Sequence, residues 1–106
     1  MDNLLKEIKR TREWFDVSGL SEKGSKEAQF KKFCEEHEEF VIAVECGNHE
    51  NEIGEAGDVL FSFIGLVDRL GVSLEELLHF TNNKNYDRLK EGRIVGQTFV
   101  KKEDLV

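Results

Sequence analysis

Apolar positions recur at three- and four-residue intervals along almost the whole chain, a period that predicts helices rather than strands. Leu4, Leu5, Ile8 and Phe15 define a first helix with Lys and Arg between them, and Asp2 is placed to cap it. Asp16 to Gly24, with its two serines and two glycines, reads as a connecting loop. A second helix is predicted from near Ser25 to about Cys46. Phe30, Phe33, Cys34, Phe40, Val41 and Val44 form its apolar stripe, flanked by Glu36, Glu39 and Ala43. Gly47, Asn48 and the polar residues to Asn51 supply the stop and the turn.

The third helix, from about Asn51 to Leu70, is predicted to be buried on nearly all sides. Val59, Leu60, Phe61, Phe63, Ile64, Leu66, Val67 and Leu70 cover most of its circumference at 100° per residue. One narrow polar or small stripe remains, made of Glu55, Asp58, Ser62, Gly65 and Arg69. A helix this apolar cannot leave two carboxylates pointing at nothing. The stripe is therefore expected to meet the acidic edge of the second helix in an antiparallel pair joined by a short turn.

Gly71 ends the third helix, and Ser73 with Glu76 makes a capping box for a fourth, with Leu74, Leu77, Leu78 and Thr81 on its inner face. Its continuation, Asn82 to Lys90, brings in Lys84, Asn85 and Arg88. Beyond Gly92, the run Ile94 to Val100 with Gly96 inside it reads as an extended arm or a strand before a charged tail. The expected architecture is all-α, a four-to-five-helix bundle with a short extended C-terminal arm, in a single domain over residues 1–106. Helices of this number cannot cover both the broad apolar surface of the third helix and the Phe-rich stripe of the second. Completion by oligomerisation is expected, as a homodimer or homotetramer.

Composition narrows the range of partners. With no proline, 39% apolar and 35% charged residues, the chain suits helices with heavily charged outer faces. A formal net charge of −7 argues against a nucleic-acid groove or an anionic membrane surface, both of which need a concentrated basic patch. A polyphosphate ligand is still compatible if metal ions mediate the contact. Cys34 and Cys46, twelve residues apart on one helix, would lie about 18 Å apart at the helical rise, too far for an intrachain disulfide. With no leader and no apolar run of about 18 residues, a reduced, cytoplasmic protein is expected.

The chemistry concentrates in two acidic clusters, Glu35, Glu36 and Glu39, then Glu55 and Asp58. Carboxylates three apart project from one helix face with Cβ atoms roughly 5 to 6 Å apart. Four such groups facing one another away from water repel unless something positive lies between them. That points to a divalent metal, and hard oxygen ligands favour Mg²⁺ or Mn²⁺ over zinc. Glu38 is expected to face solvent, as are His49 and His79. His37 falls on the apolar stripe as a core or interface histidine. Arg69 is a candidate salt-bridge partner of the acidic site. A di-iron centre lacks its Glu-x-x-His pairs, and an EF-hand lacks its spaced loop. An acidic helical interaction or regulatory module that binds metal without turnover is the alternative to an enzyme.

The order Glu-Glu-x-x-Glu (Glu35, Glu36, Glu39), Glu-x-x-Asp sixteen residues on (Glu55, Asp58), and Lys-Asn-x-x-Arg a helix later (Lys84, Asn85, Arg88) resembles the all-α nucleoside triphosphate pyrophosphatases of the MazG-like superfamily. Their relatives include dCTP pyrophosphatases and phosphoribosyl-ATP pyrophosphatases. The likeness runs from about Ser25 to Arg88. It implies Mg²⁺-dependent hydrolysis between the α and β phosphates of a nucleoside triphosphate, with Mn²⁺ as a substitute, giving a monophosphate and pyrophosphate in nucleotide-pool house-cleaning. The same resemblance makes Glu36, Glu39, Glu55 and Asp58 the metal ligands, and Glu35 a further ligand or the base for water. Glu35, Glu36 and Glu39 are thus the catalytic set, and Lys84, Asn85 and Arg88 hold phosphates. Trp14 matches loosely the aromatic residue that some relatives place against the base, which leaves the choice of base open.

Overall fold

Helix ends fall where local hydrogen-bonding chemistry puts them. The computed structural model describes residues 2–104, apart from the side chains of Asp2 and Phe99. Five helices follow in order, α1 (Asp2–Val17), α2 (Leu20–Lys23), α3 (Lys26–Cys46), α4 (His49–Leu70) and α5 (Leu74–Glu91). The strands β1 (Gly92–Val95) and β2 (Thr98–Lys101) and a 3-10 turn, Lys102–Asp104, complete the described chain. Three of the helices begin with a side-chain cap. Ser25 accepts from the Ala28 N–H, Asn48 from Asn51 and Ser73 from Glu76, each at 3.1 Å. Gly47 and Gly71, at φ +73° and +75°, close α3 and α4 in the left-handed conformation that side chains resist. The Asp2 side chain, expected to cap α1, lies outside the described residues.

The expectations of an all-α chain and of its long helices hold, with three local corrections. The segment 16–24, expected as a loop, carries the single helical turn α2. Asn48 starts α4 at His49, slightly earlier than the expected Asn51. The C-terminal arm is a hairpin, with Gly92 opposite Lys101 and Val95 opposite Thr98. Its two-residue loop begins with Gly96 at φ +63°, where the mirror-image type II turn needs glycine.

The chain divides into two compact units, Met1–Val72 with α1 to α4 and Ser73–Val106 with α5 and the hairpin. In the first unit, α3 and α4 form an antiparallel pair. Early residues of one meet late residues of the other: Gln29 Nε2 donates to the Ser62 carbonyl at 3.0 Å, and Phe33 lies 5.4 Å from Phe63 between ring centroids. The inward face of α3 is the row Gln29, Phe33, Glu36, Phe40 and Ala43, spaced four-three-four-three, of which Glu36 and Ala43 are buried. The apolar stripe is corrected in part. Phe33 and Phe40 face inward together with the flanking Glu36 and Ala43, whereas Phe30, Val41 and Val44 are exposed.

Helix α4 is not buried all round. Ser62, Ile64, Gly65, Leu66 and Val67 are buried, whereas Leu60 and Leu70 are more than half exposed. Helix α1 covers the buried side of α4. Phe15, 7% exposed, seats its ring over Gly65, and Arg12 pairs with Asp68 at 3.1 Å. A Cβ on Gly65 would overlap that ring and come within 2.9 Å of Gln29 Nε2. Glycine here lets three helices approach, and the burial of Phe15 that follows is worth roughly 1.5–3 kcal/mol. Leu4 and Leu5, two of the apolar residues whose period predicts α1, are exposed.

Candidate metal centre

The α3–α4 seam carries a carboxylate group at its open end. Glu36 and Glu39, one turn apart on α3, and Glu55 on α4 each offer an oxygen within 4.8 Å of the others. Glu36 is buried at 8% exposure, Glu55 is half-buried and Glu39 is exposed, so the group opens to solvent on one side. The row that puts Ala43 inside puts Glu36 inside as well, seven residues earlier on the same face.

Electrostatics make the group costly by itself. Glu36 Oε2 and Glu55 Oε2 are buried without a hydrogen-bond partner. An ionised oxygen in that position forfeits its hydration and gains nothing in return. The neighbouring Glu36 charge, then desolvation, then the Glu55 charge push the Glu39 carboxyl above the ordinary glutamate range. A divalent cation removes both penalties. Oxygens around one Mg²⁺ at about 2.1 Å span up to roughly 4.2 Å, so side-chain shifts of under about 1 Å close these three onto one ion. The donor set is oxygen throughout, with no His or Cys in the group, which suits Mg²⁺ or Mn²⁺.

Lys32 belongs to this site, although the acidic motifs drew attention away from it. Its Nζ donates to Glu36 Oε1 at 2.8 Å from one turn earlier on α3. That hydrogen bond, then the Glu36 charge, hold the Lys32 ammonium above the ordinary lysine range. The signal was present as a lysine four residues ahead of a glutamate on one helix. Arg69, the residue considered for that role, is engaged elsewhere: its Nη2 donates to the Leu20 carbonyl and ties α2 to α4.

The remaining candidates are distributed differently. Asp58 is exposed and is not part of the three-carboxylate group, and Glu35, next to Glu36 in sequence, is exposed as well. Trp14 is about half exposed and packs edge-on against Phe15 and Phe61, with centroids 5.2 and 5.1 Å away. His37 is exposed, with its ring centroid 6.4 Å from that of Phe33. Cys34 and Cys46 are exposed free thiols. In the second unit, Lys84, Asn85 and Arg88 are exposed along α5. Asn85 and Arg88 line a cleft of about 450 Å³ with Tyr86, Leu89, Ile94 and Gln97. Among the described residues, no helix is long and apolar enough to cross a membrane.

Comparison with known proteins adds one match. A family model described as phosphoribosyl-ATP pyrophosphohydrolase covers residues 2–85, which takes in both acidic motifs, Lys84 and Asn85 and stops short of Arg88. No curated protein and no solved structure matches the chain.

Proposed function

The chain belongs to the phosphoribosyl-ATP pyrophosphohydrolase family, and is thereby a hydrolase of nucleotide phosphorus anhydrides; from that premise we propose that it is a Mg²⁺-dependent nucleoside triphosphate pyrophosphohydrolase. It cleaves between the α and β phosphates to release a (d)NMP and pyrophosphate, in the upkeep of the nucleotide pool. The observation that carries this reading is the pair of buried, unpartnered oxygens on Glu36 and Glu55 beside Glu39. They are arranged for a cation that a polyphosphate substrate also needs.

Glu36, Glu39 and Glu55 are the inner ligands in this proposal, with the exposed Asp58, three residues after Glu55 on α4, the fourth carboxylate. Mg²⁺ bound there supplies charge neutralisation at the phosphate oxygens and acidifies water. Glu35, exposed next to Glu36, takes the proton from the attacking water or serves as a further ligand. Lys84 and Arg88 offset the charge that grows on the departing pyrophosphate, and Asn85 orients a phosphate or sugar oxygen. Trp14 offers its exposed face to the base. Residues 1–106 act as one catalytic domain in the cytoplasm.

A second reading has its own support. The matched family is described by phosphoribosyl-ATP, a substrate with the same α–β anhydride, so the choice lies in what surrounds the triphosphate. Pyrophosphate release is to be measured from ribo- and deoxynucleoside triphosphates and from phosphoribosyl-ATP, with Mg²⁺, with Mn²⁺ and with chelator. Metal-dependent release from a nucleoside triphosphate upholds the proposal. Release from phosphoribosyl-ATP alone replaces it with the second reading, and metal-independent release removes the proposed site.

We also propose a homodimer or homotetramer. Its support is the apolar surface that the chain leaves in water, notably Phe30, Val41 and Val44 on α3 and Ile53 and Leu60 on α4. Sedimentation of the Val41→Glu, Val44→Glu double variant should show a smaller particle than the parent. An unchanged mass would clear this face of the role.

A further inference from the structure

Glu36 is the carboxylate of the seam whose two oxygens are in contrasting states. Oε1 accepts from Lys32 Nζ at 2.8 Å, whereas Oε2 is buried with no partner. Residues four apart on a helix are neighbours, and this pair spans the boundary of the protein. The Lys32 side chain is 58% exposed and that of Glu36 only 10%. The ammonium therefore holds the carboxylate from the solvent side, and the free oxygen is left to the interior with Glu39 and Glu55.

We infer that Lys32 is a positioning residue that blocks Oε1 and so limits Glu36 to binding a cation through Oε2 alone, which favours a small six-coordinate ion over Ca²⁺. The inference rests on reading Glu36, Glu39 and Glu55 as a cation site, and it adds a selectivity device to that reading. Mg²⁺ demands near-octahedral geometry at 2.0–2.1 Å and takes carboxylates one oxygen at a time. Ca²⁺ accepts six to eight oxygens at 2.3–2.6 Å and readily uses both oxygens of one carboxylate. With Oε1 held by Lys32, a site built from three carboxylates lacks the extra oxygen that Ca²⁺ would draw from Glu36. Coulomb repulsion from the ammonium acts on every divalent ion alike. Denticity acts on the larger ion selectively.

The ratio of two affinities separates these effects. Metal-free protein is to be titrated calorimetrically with Ca²⁺ and with Mg²⁺, without substrate, for the parent chain, Lys32→Met and Lys32→Arg. Lys32→Met keeps an unbranched side chain of nearly the same length and removes the donor. Its affinity for Ca²⁺ relative to Mg²⁺ should rise about tenfold, the scale on which residues behind metal ligands act. Lys32→Arg, which restores a charged donor, should return the ratio toward that of the parent. An unchanged ratio in Lys32→Met, with both affinities raised or lowered together, would overturn the inference and leave the cation site standing. Absence of binding by the parent, with its helicity intact, would instead remove the cation site and this role with it.

Discussion

The α3–α4 seam and helix α5 both carry residues with chemistry to offer, but the seam buries one of them, Glu36, whereas α5 buries none. Glu36 is buried between two long helices, with Lys32 on one oxygen and nothing on the other. Lys84, Asn85 and Arg88 lie on a helix with no buried residue. Groups at the seam are oriented in advance, and their buried oxygens are costly without a partner. Lys84 and Asn85 are exposed on α5, and in the proposed function would take up a phosphate at the expense of ordering their side chains. Under the proposed function, the contrast would leave metal binding to packed groups and phosphate binding to exposed ones.

Removing a carboxylate proposed as a metal ligand should give the largest effect. Glu39→Ala and Asp58→Ala are each expected to lower kcat/KM by roughly 10²-fold or more, on the scale set by metal-site substitutions, with far-UV circular dichroism unchanged. Near-parental turnover by either variant would remove that residue from the site. The thermal midpoint of metal-free Glu39→Ala should stay level or rise, because the substitution relieves repulsion from Glu36 and Glu55.

Next in size comes a change to the support behind the seam. Gly65→Ala forces a methyl group into the Phe15 ring and toward Gln29, and overpacking of this kind costs about 1–3 kcal/mol. Denaturant unfolding should show that loss, and an undiminished midpoint would mean that α1 moves away without cost. On α5, Lys84→Ala should reduce kcat/KM about tenfold, the loss of one charge-assisted contact, and leave stability within about 0.5 kcal/mol. Equal losses of activity and stability would erase the distinction between the two regions.

The smallest effect is a pH dependence. Because the Glu39 carboxyl is raised, the folded metal-free chain holds its proton more tightly than the unfolded chain does. Its contribution to metal-free stability therefore declines as pH rises upward from the ordinary glutamate range. Cation affinity should climb over the same interval as the proton is displaced. Mn²⁺ titrations at several pH values would show this, and Glu39→Gln should flatten the profile. A profile equally steep in Glu39→Gln would place the titrating proton elsewhere.

Legibility followed the range of the forces involved. Ser25, Asn48 and Ser73 cap their helices through hydrogen bonds three residues long, so the helix starts could be read locally. Glu36 and Glu39, one turn apart, meet for the same reason. The turn α2 was missed because its brief helical hydrogen bonding sits among residues that favour loops. Lys32 was overlooked although its spacing to Glu36 was visible, since many Lys and Glu pairs at that spacing do no more than solvate a helix.

By itself the sequence determined the helical period, the caps, the glycine stops and the order of the acidic and basic motifs, all consequences of hydrogen bonds and spacings within one or two turns. Tertiary structure alone decided how far each helix is rotated about its axis. On α3 two stripes lie side by side, and the one led by Gln29, Glu36 and Ala43 faces α4 while Phe30, Val41 and Val44 face outward. Hydrophobicity favours the second stripe for burial. Gln29 bonded to Ser62, Phe33 against Phe63 and the buried Ala43 belong to the first, which carries Glu36 inside with it. That rotation depends on the shape of the partner helix, a property that no local stretch of either helix contains.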